Sequence, residues 1–180
     1  MPFFSELDDK LLKFIGEQKL FFTATAPREG RINLSPKGMD TFRCIDRRHV
    51  AYLDLTGSGN ETAAHIFENG RLTVMMCSFN EQPLILRLYG RGRIVLPRHG
   101  DWATLFAHFQ EIPGMRQIVL LSIDSIQTSC GFGVPLYEYA GERETLRRWG
   151  EKKGDDGVRA YWESSNQESI DGLPTHLLVD

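Results

Sequence analysis

The chain has 180 residues, 41% of them hydrophobic, and carries a formal net charge of −3 at pH 7. That length suits one domain burying roughly two-thirds of its unfolded surface, and the mild acidity argues against a nucleic-acid partner, which would need a basic excess. Met1–Lys19 lacks a basic start followed by an apolar run, and no stretch is long enough to span a bilayer, so a soluble, cytoplasmic protein without a membrane partner is expected.

The three cysteines, Cys44, Cys77 and Cys130, are odd in number and show no CxxC spacing, which argues against a disulfide framework or a structural zinc site. Ser5 is placed to cap a first helix reaching about Glu17, with Leu7, Leu11, Leu12 and Ile15 on one face. Leu20–Ala26 reads as a strand, and the turn Pro27-Arg28-Glu29-Gly30 leads into a second, Arg31–Lys37, so the pair predicts a hairpin. Phe42–Ile45 and His49–Leu55 follow as strands. Asn60–Asn69 predicts a helix with Asn60 as N-cap and Gly70 at its end. Asn60-Glu61-Thr62 also matches a glycosylation sequon, read as a chance match because no secretion signal is expected.

Arg71–Phe79 and Leu84–Leu96 read as two long strands, Gly100–Gln110 as a helix and Ile118–Ile126 as an apolar strand. Beyond Thr128 the chain turns glycine-rich, then charged. Glu142–Lys153 predicts a surface helix with Leu146 and Trp149 inward, Lys152–Gly157 a polar turn, and Val158–Trp162 one more helical turn. Strands in this proportion to helices predict a mainly β protein with peripheral helices, its sheet largely antiparallel and closed into a barrel. Residues 1–128 would form that barrel and 129–180 an extension packed on the same domain.

Two stretches carry the functional argument. In Arg31–Lys37, Asn33 and Ser35 alternate with Ile32 and Leu34, giving one polar and one apolar face, and Pro36 projects Lys37 beyond the strand end. In Asp54–Thr62, a strand passes through Gly57-Ser58-Gly59 into a helix start, whose unpaired N–H groups attract anions. Ser58 and Thr62 add hydroxyls there. Glu61 opposes a phosphate unless it points away. Together the stretches offer a cation, hydroxyls, an amide and free N–H groups to a flat, phosphorylated cofactor, as a flavin mononucleotide (FMN) site requires.

A third feature is an arginine ladder. Arg87, Arg91 and Arg93 share a strand face with Tyr89, successive residues on that face lying about 7 Å apart. It reads either as a solvated face or as a holder of phosphate or an anionic substrate. Cys130, between Ser129 and Gly131, reads as packing rather than as a nucleophile, and the histidines show no metal-ligand spacing.

The order of these elements from about Lys19 to Val95 resembles the pyridoxamine 5'-phosphate oxidase-like family of split-barrel flavoproteins. The later stretches Ser129–Pro135 and Ser169–Pro174 resemble the signature of a subgroup of its flavin-binding members. The resemblance implies a six-stranded antiparallel split β-barrel, a homodimer with FMN at the interface, and oxidation or reduction of a small-molecule substrate. It also implies that Arg31, Ile32, Asn33 and Leu34 line the isoalloxazine and ribityl chain, with Ser35 in the same strand. Lys37 would sit near the flavin or its phosphate, and Asp54 and Leu55 beside the cofactor. Ser58, Asn60 and Thr62 would border it at the helix start. The family's basic phosphate pair falls here on Glu61 and Thr62, so Arg87 or another member of the ladder is the candidate to supply the missing charge. No counterpart of the family's substrate-phosphate residues is found, which argues against pyridoxamine 5'-phosphate itself as substrate. A non-catalytic flavin or haem protein, with His65 or His176 as iron ligand, and a deazaflavin-dependent reductase are the alternatives on the same barrel.

Overall fold

The structure, a computed structural model, describes residues 3–178. Its elements are β1 (Phe3–Phe4), α1 (Asp9–Glu17), β2 (Phe21–Thr25), β3 (Asn33–Lys37), β4 (Phe42–Cys44), β5 (His49–Leu55), α2 (Glu61–Asn69), β6 (Arg71–Cys77), β7 (Ile85–Val95), α3 (Trp102–Phe106), β8 (Met115–Ser129) and α4 (Thr145–Ser165). The strands form one antiparallel sheet in the order β3-β2-β6-β7-β8-β5-β4, with β1 pairing off the path onto β8. Curled on itself, it is the split barrel expected, with seven strands on the path rather than six.

Alternation explains the core. Phe21, Thr23 and Thr25 of β2, Leu72, Val74 and Met76 of β6, and Leu86 and Leu88 of β7 are buried, while the residues between them are partly exposed. β5 is buried on both faces. Val50 and Tyr52 join the main core under α1, whereas Ala51 and Leu53 join a second cluster beneath α3. By the same parity Asp54 points with Val50 and Tyr52 toward the barrel interior.

A Cβ at Gly90 would lie 2.0 Å from the Ser122 carbonyl oxygen, and the β7–β8 register shifts between Tyr89 and Gly90. Only glycine allows the two backbones to close at this bulge.

Several local expectations change. Asp8, not Ser5, caps α1 and accepts a hydrogen bond from the Leu11 N–H at 2.8 Å. Asn60 occupies the N-cap position of α2 but makes no side-chain cap bond, because its Oδ1 accepts from Gln117 Nε2 at 2.8 Å. With Asn60 only 1% exposed, the sequon is closed to modification. The helix expected over Gly100–Gln110 shortens to α3, and the strand expected at Ile118–Ile126 lengthens to β8. Lys152–Gly157 is helical rather than a turn, broken only at Gly154, where φ is 63°.

Candidate functional site

Strand β3 is an edge strand, paired to β2 alone. Its register opposite β2 sets Ser35 beside Thr23 and Asn33 beside Thr25, so Asn33, Ser35 and Lys37 face inward. Ile32 and Leu34 face out and are 78% and 64% exposed. The inward side chains form a chain of hydrogen bonds. Ser35 Oγ donates to Asn33 Oδ1 at 2.8 Å, and Asn33 Nδ2 donates to Thr25 Oγ1 and Thr62 Oγ1, each at 3.1 Å. This ties the edge strand to the first turn of α2.

Lys37 does not reach past the strand end. Its ammonium turns inward to Asp54 Oδ1 at 2.7 Å, while Arg116 Nε and Gln117 Nε2 donate to Asp54 Oδ2 at 2.8 and 2.9 Å. Asp54 is 1% exposed. Burial pushes its carboxyl up, but Arg116 and then Lys37 outweigh that and hold it well below the usual carboxylate range. Arg116 also donates to the Gly59 carbonyl and to Asn166 Oδ1, carrying the network across to the chain's last third.

These residues wall a cleft of about 630 Å³. One side is Asn33, Ser35 and Lys37; the floor is the Gly57–Gly59 turn with Thr62 and Arg116; the far side is Ser169 and Ile170. The turn is held from the C-terminal extension, where Trp162 Nε1 donates to Thr56 Oγ1 at 2.7 Å and Asn166 Nδ2 to the Gly57 carbonyl at 3.2 Å. Glu61 does not point away: its carboxylate folds back beside Gly59 at the cleft and accepts from the Ile170 N–H at 3.0 Å. In the adjoining loop, Asp171 Oδ2 accepts from the Arg31 N–H at 2.7 Å, and Asp171 Oδ1 pairs with the Arg31 guanidinium.

The donor set fits the uncharged polar parts of a flavin, since amide, hydroxyl and backbone groups line one strand and one turn. The Asn60 Nδ2 and Gln117 Oε1 atoms, both buried beside this floor, have no hydrogen-bond partner among the described residues. A phosphate meets a different balance. Lys37 and Arg116 already neutralise Asp54, Arg31 is engaged by Asp171, and Glu61 and Glu168 also line the cleft. Arg31 is not among the residues that line the cleft, and its largely exposed guanidinium is paired with Asp171.

The remaining predicted residues divide. Ser58 is exposed at the rim, while Asn60 and Thr62 are buried beneath it. Leu55 packs into the second core cluster. Arg87 sits on the opposite sheet face, since it pairs with Met75, Met75 with Phe22 and Phe22 with Pro36; its guanidinium donates to Ser129 Oγ at 3.0 Å. The ladder is tied residue by residue, Arg91 to the Asn69 carbonyl and Arg93 to Asp101. His65 is fully buried, its Nδ1 against Thr25 Oγ1 at 2.9 Å, and desolvation lowers its pKa. It presents no open side to an iron, and exposed His176 lies edge-on to Phe67 at 4.8 Å. Sequence reasoning missed Arg116, Gln117 and Asn166, and it singled out the Ser169–Pro174 stretch without giving Asp171 a role. Only Asp171 gave a local signal, a turn-forming Asp-Gly.

Residues 7–130 match the pyridoxamine 5'-phosphate oxidase family. The chain belongs to that family. A pyridoxamine 5'-phosphate oxidase family protein of Aspergillus flavus, ustO, is 39% identical over 194 residues, covering 97% of this chain and 78% of the relative. Among solved structures, a protein of Lactobacillus delbrueckii is similar with a TM-score of 0.57 at 17% identity, covering 69% of this chain and 95% of its own. HupZ of Group A Streptococcus gives a TM-score of 0.56 at 17% identity, covering 69% and 94%. Those two likenesses establish the fold alone. Residues from 131 onward, which complete the cleft, lie outside the family match. Among the described residues, no helix is long and apolar enough to cross a membrane.

Proposed function

We propose that the chain is a flavin-binding oxidoreductase, a homodimer that takes FMN in the cleft between β3 and the Gly57–Gly59 turn and acts on a small molecule. The cleft itself carries the reading: about 630 Å³ where the family resemblance leads one to expect the cofactor, with inward polar groups from β3 and the start of α2. When bound, a flavin supplies two-electron or one-electron transfer through its ring system.

The protein's own part is binding and orientation. Asn33 and Ser35, locked to one another and to Thr25 and Thr62, present a fixed pattern of donors and acceptors. Asp54 fixes the Lys37 ammonium at the cleft wall, where it can stabilise negative charge on a bound ring edge. The dimer reading is supported by apolar side chains on the outer sheet face, where Ile32, Leu34 and Phe3 are 78%, 64% and 63% exposed.

The test is a visible spectrum of the purified protein, acid release of any chromophore, and FMN titration of the flavin-free form. Saturable uptake that Asn33→Ala or Lys37→Ala weakens supports the site. A colourless protein that takes up no added FMN overturns the oxidoreductase reading.

A further inference from the structure

A second cleft, of about 650 Å³, opens between the barrel and α4. It shares Gly57 and Ser58 with the cleft described above, so the two are neighbouring compartments divided by one turn. Its barrel side is Leu20 and Met39; its outer wall is Tyr139, Leu146, Trp149 and Tyr161. All four outer residues lie beyond the family match at 7–130, so the outer wall of this compartment is built by the C-terminal extension.

The wall has a definite shape. Trp149 and Tyr161 meet edge to face with ring centroids 5.3 Å apart. Both are half-buried, each held on a different half of the Gly154-broken α4. Such a pair offers flat apolar area and a quadrupole suited to another ring. The wall is anchored, because Gly150 presses on Pro113 and Trp162 reaches Thr56.

Charge selects among flat ligands. Lys19, Glu142 and Arg143 line the cleft. Glu142 is already engaged, accepting from the Tyr139 hydroxyl at 2.9 Å and from the Met39 N–H at 3.3 Å. Among the described residues Lys19 and Arg143 have no hydrogen-bond or ion-pair partner. The rim thus holds two uncommitted cations against one engaged carboxylate.

We infer that this compartment binds a planar aromatic compound bearing a carboxylate, its ring against Trp149 and Tyr161 and its anionic end toward Lys19 and Arg143. Its role as substrate rests on the flavin reading, since the ring would lie beside the turn that borders the cofactor cleft. Its binding does not.

Calorimetric titration of the flavin-free protein with 2-naphthoate tests this, alongside the neutral 2-naphthamide and the non-aromatic cyclohexanecarboxylate. Saturable 2-naphthoate binding is expected, with both comparison compounds weaker. Two exposed cations together are worth about 3- to 10-fold, so the double variant Lys19→Gln/Arg143→Gln should weaken 2-naphthoate by that factor and leave 2-naphthamide unchanged. Trp149→Ala should abolish binding, and Trp149→Phe, which keeps a ring in place, should retain most of it. No saturable 2-naphthoate binding, or comparison compounds that bind as tightly, overturns the inference. A protein that binds FMN but not 2-naphthoate refutes this site and spares the flavin reading; the reverse result refutes the flavin reading and spares the site.

Discussion

Neutralising Asp54 is the most direct probe of the network under the cleft. Asp54→Asn keeps the side-chain shape and removes the charge that holds Arg116 and Lys37. Arg116 is 4% exposed and cannot recover solvation, whereas Lys37, at 22%, can swing toward water. Removing one partner of a buried pair costs about 3–5 kcal/mol. At about 2–4 °C per kcal/mol for a chain of this size, the melting temperature should fall by about 6–20 °C. Lys37→Met deletes only the better-solvated partner and leaves Asp54 bonded to Arg116 and Gln117, so the cost should be smaller, about 1.5–3 kcal/mol. Thermal melts followed by circular dichroism, with urea titrations for free energies, measure both. The pH dependence gives a second readout. The folded Asp54 pKa lies below its unfolded value of about 3.9, so the stabilisation is present above that pH and is lost as the pH falls further. The gap between wild type and Asp54→Asn should therefore narrow below about pH 4. An Asp54→Asn protein melting within about 3 °C of wild type at pH 7, or one more stable than Lys37→Met, would refute the reasoning.

Other expectations follow from the same geometry. Asp171→Asn frees Arg31 from a pair in which the arginine is 68% exposed, and should tighten FMN binding about 2- to 5-fold while leaving riboflavin unchanged; weaker FMN binding would instead make Asp171 part of the cofactor site. Gly150→Ala places a Cβ 2.7 Å from the Pro113 backbone, so α4 should lift from the barrel at a cost of about 1–3 kcal/mol, read as a lower urea midpoint and faster proteolysis between Gly131 and Glu144. Leu34→Glu, on the exposed outer face of β3, should shift a dimer toward monomer in light scattering without changing the circular dichroism spectrum.

Periodicity made the barrel readable. The two-residue alternation of β2, β6 and β7 marks buried faces wherever the chain is written, because pleating is a local property. The glycine turn before α2 and the left-handed Gly70 that ends it, with φ of 73°, are local as well. The same parity put Asn33 and Ser35 on one face of β3, and the structure keeps them there, whereas Lys37, expected beyond the strand end, turns in to Asp54 on that face. What local pattern cannot carry is the choice of partner. Arg116 and Gln117 lie in β8, more than fifty residues from Asp54, and nothing in Met115–Gln117 marks them as a buried charge pair and its amide. Asn60 has the chemistry of a helix cap, yet Gln117 captures its side chain once β8 pairs with β5. Arg87 has the chemistry of a phosphate ligand, yet the register of β6 against β2 carries it to the far face of the sheet. Sequence alone determined which residues could bind an anion, because that depends on the side chain. Only the tertiary structure decided which were already spent on one another, because a buried charge must find its counter-charge wherever the fold brings one near.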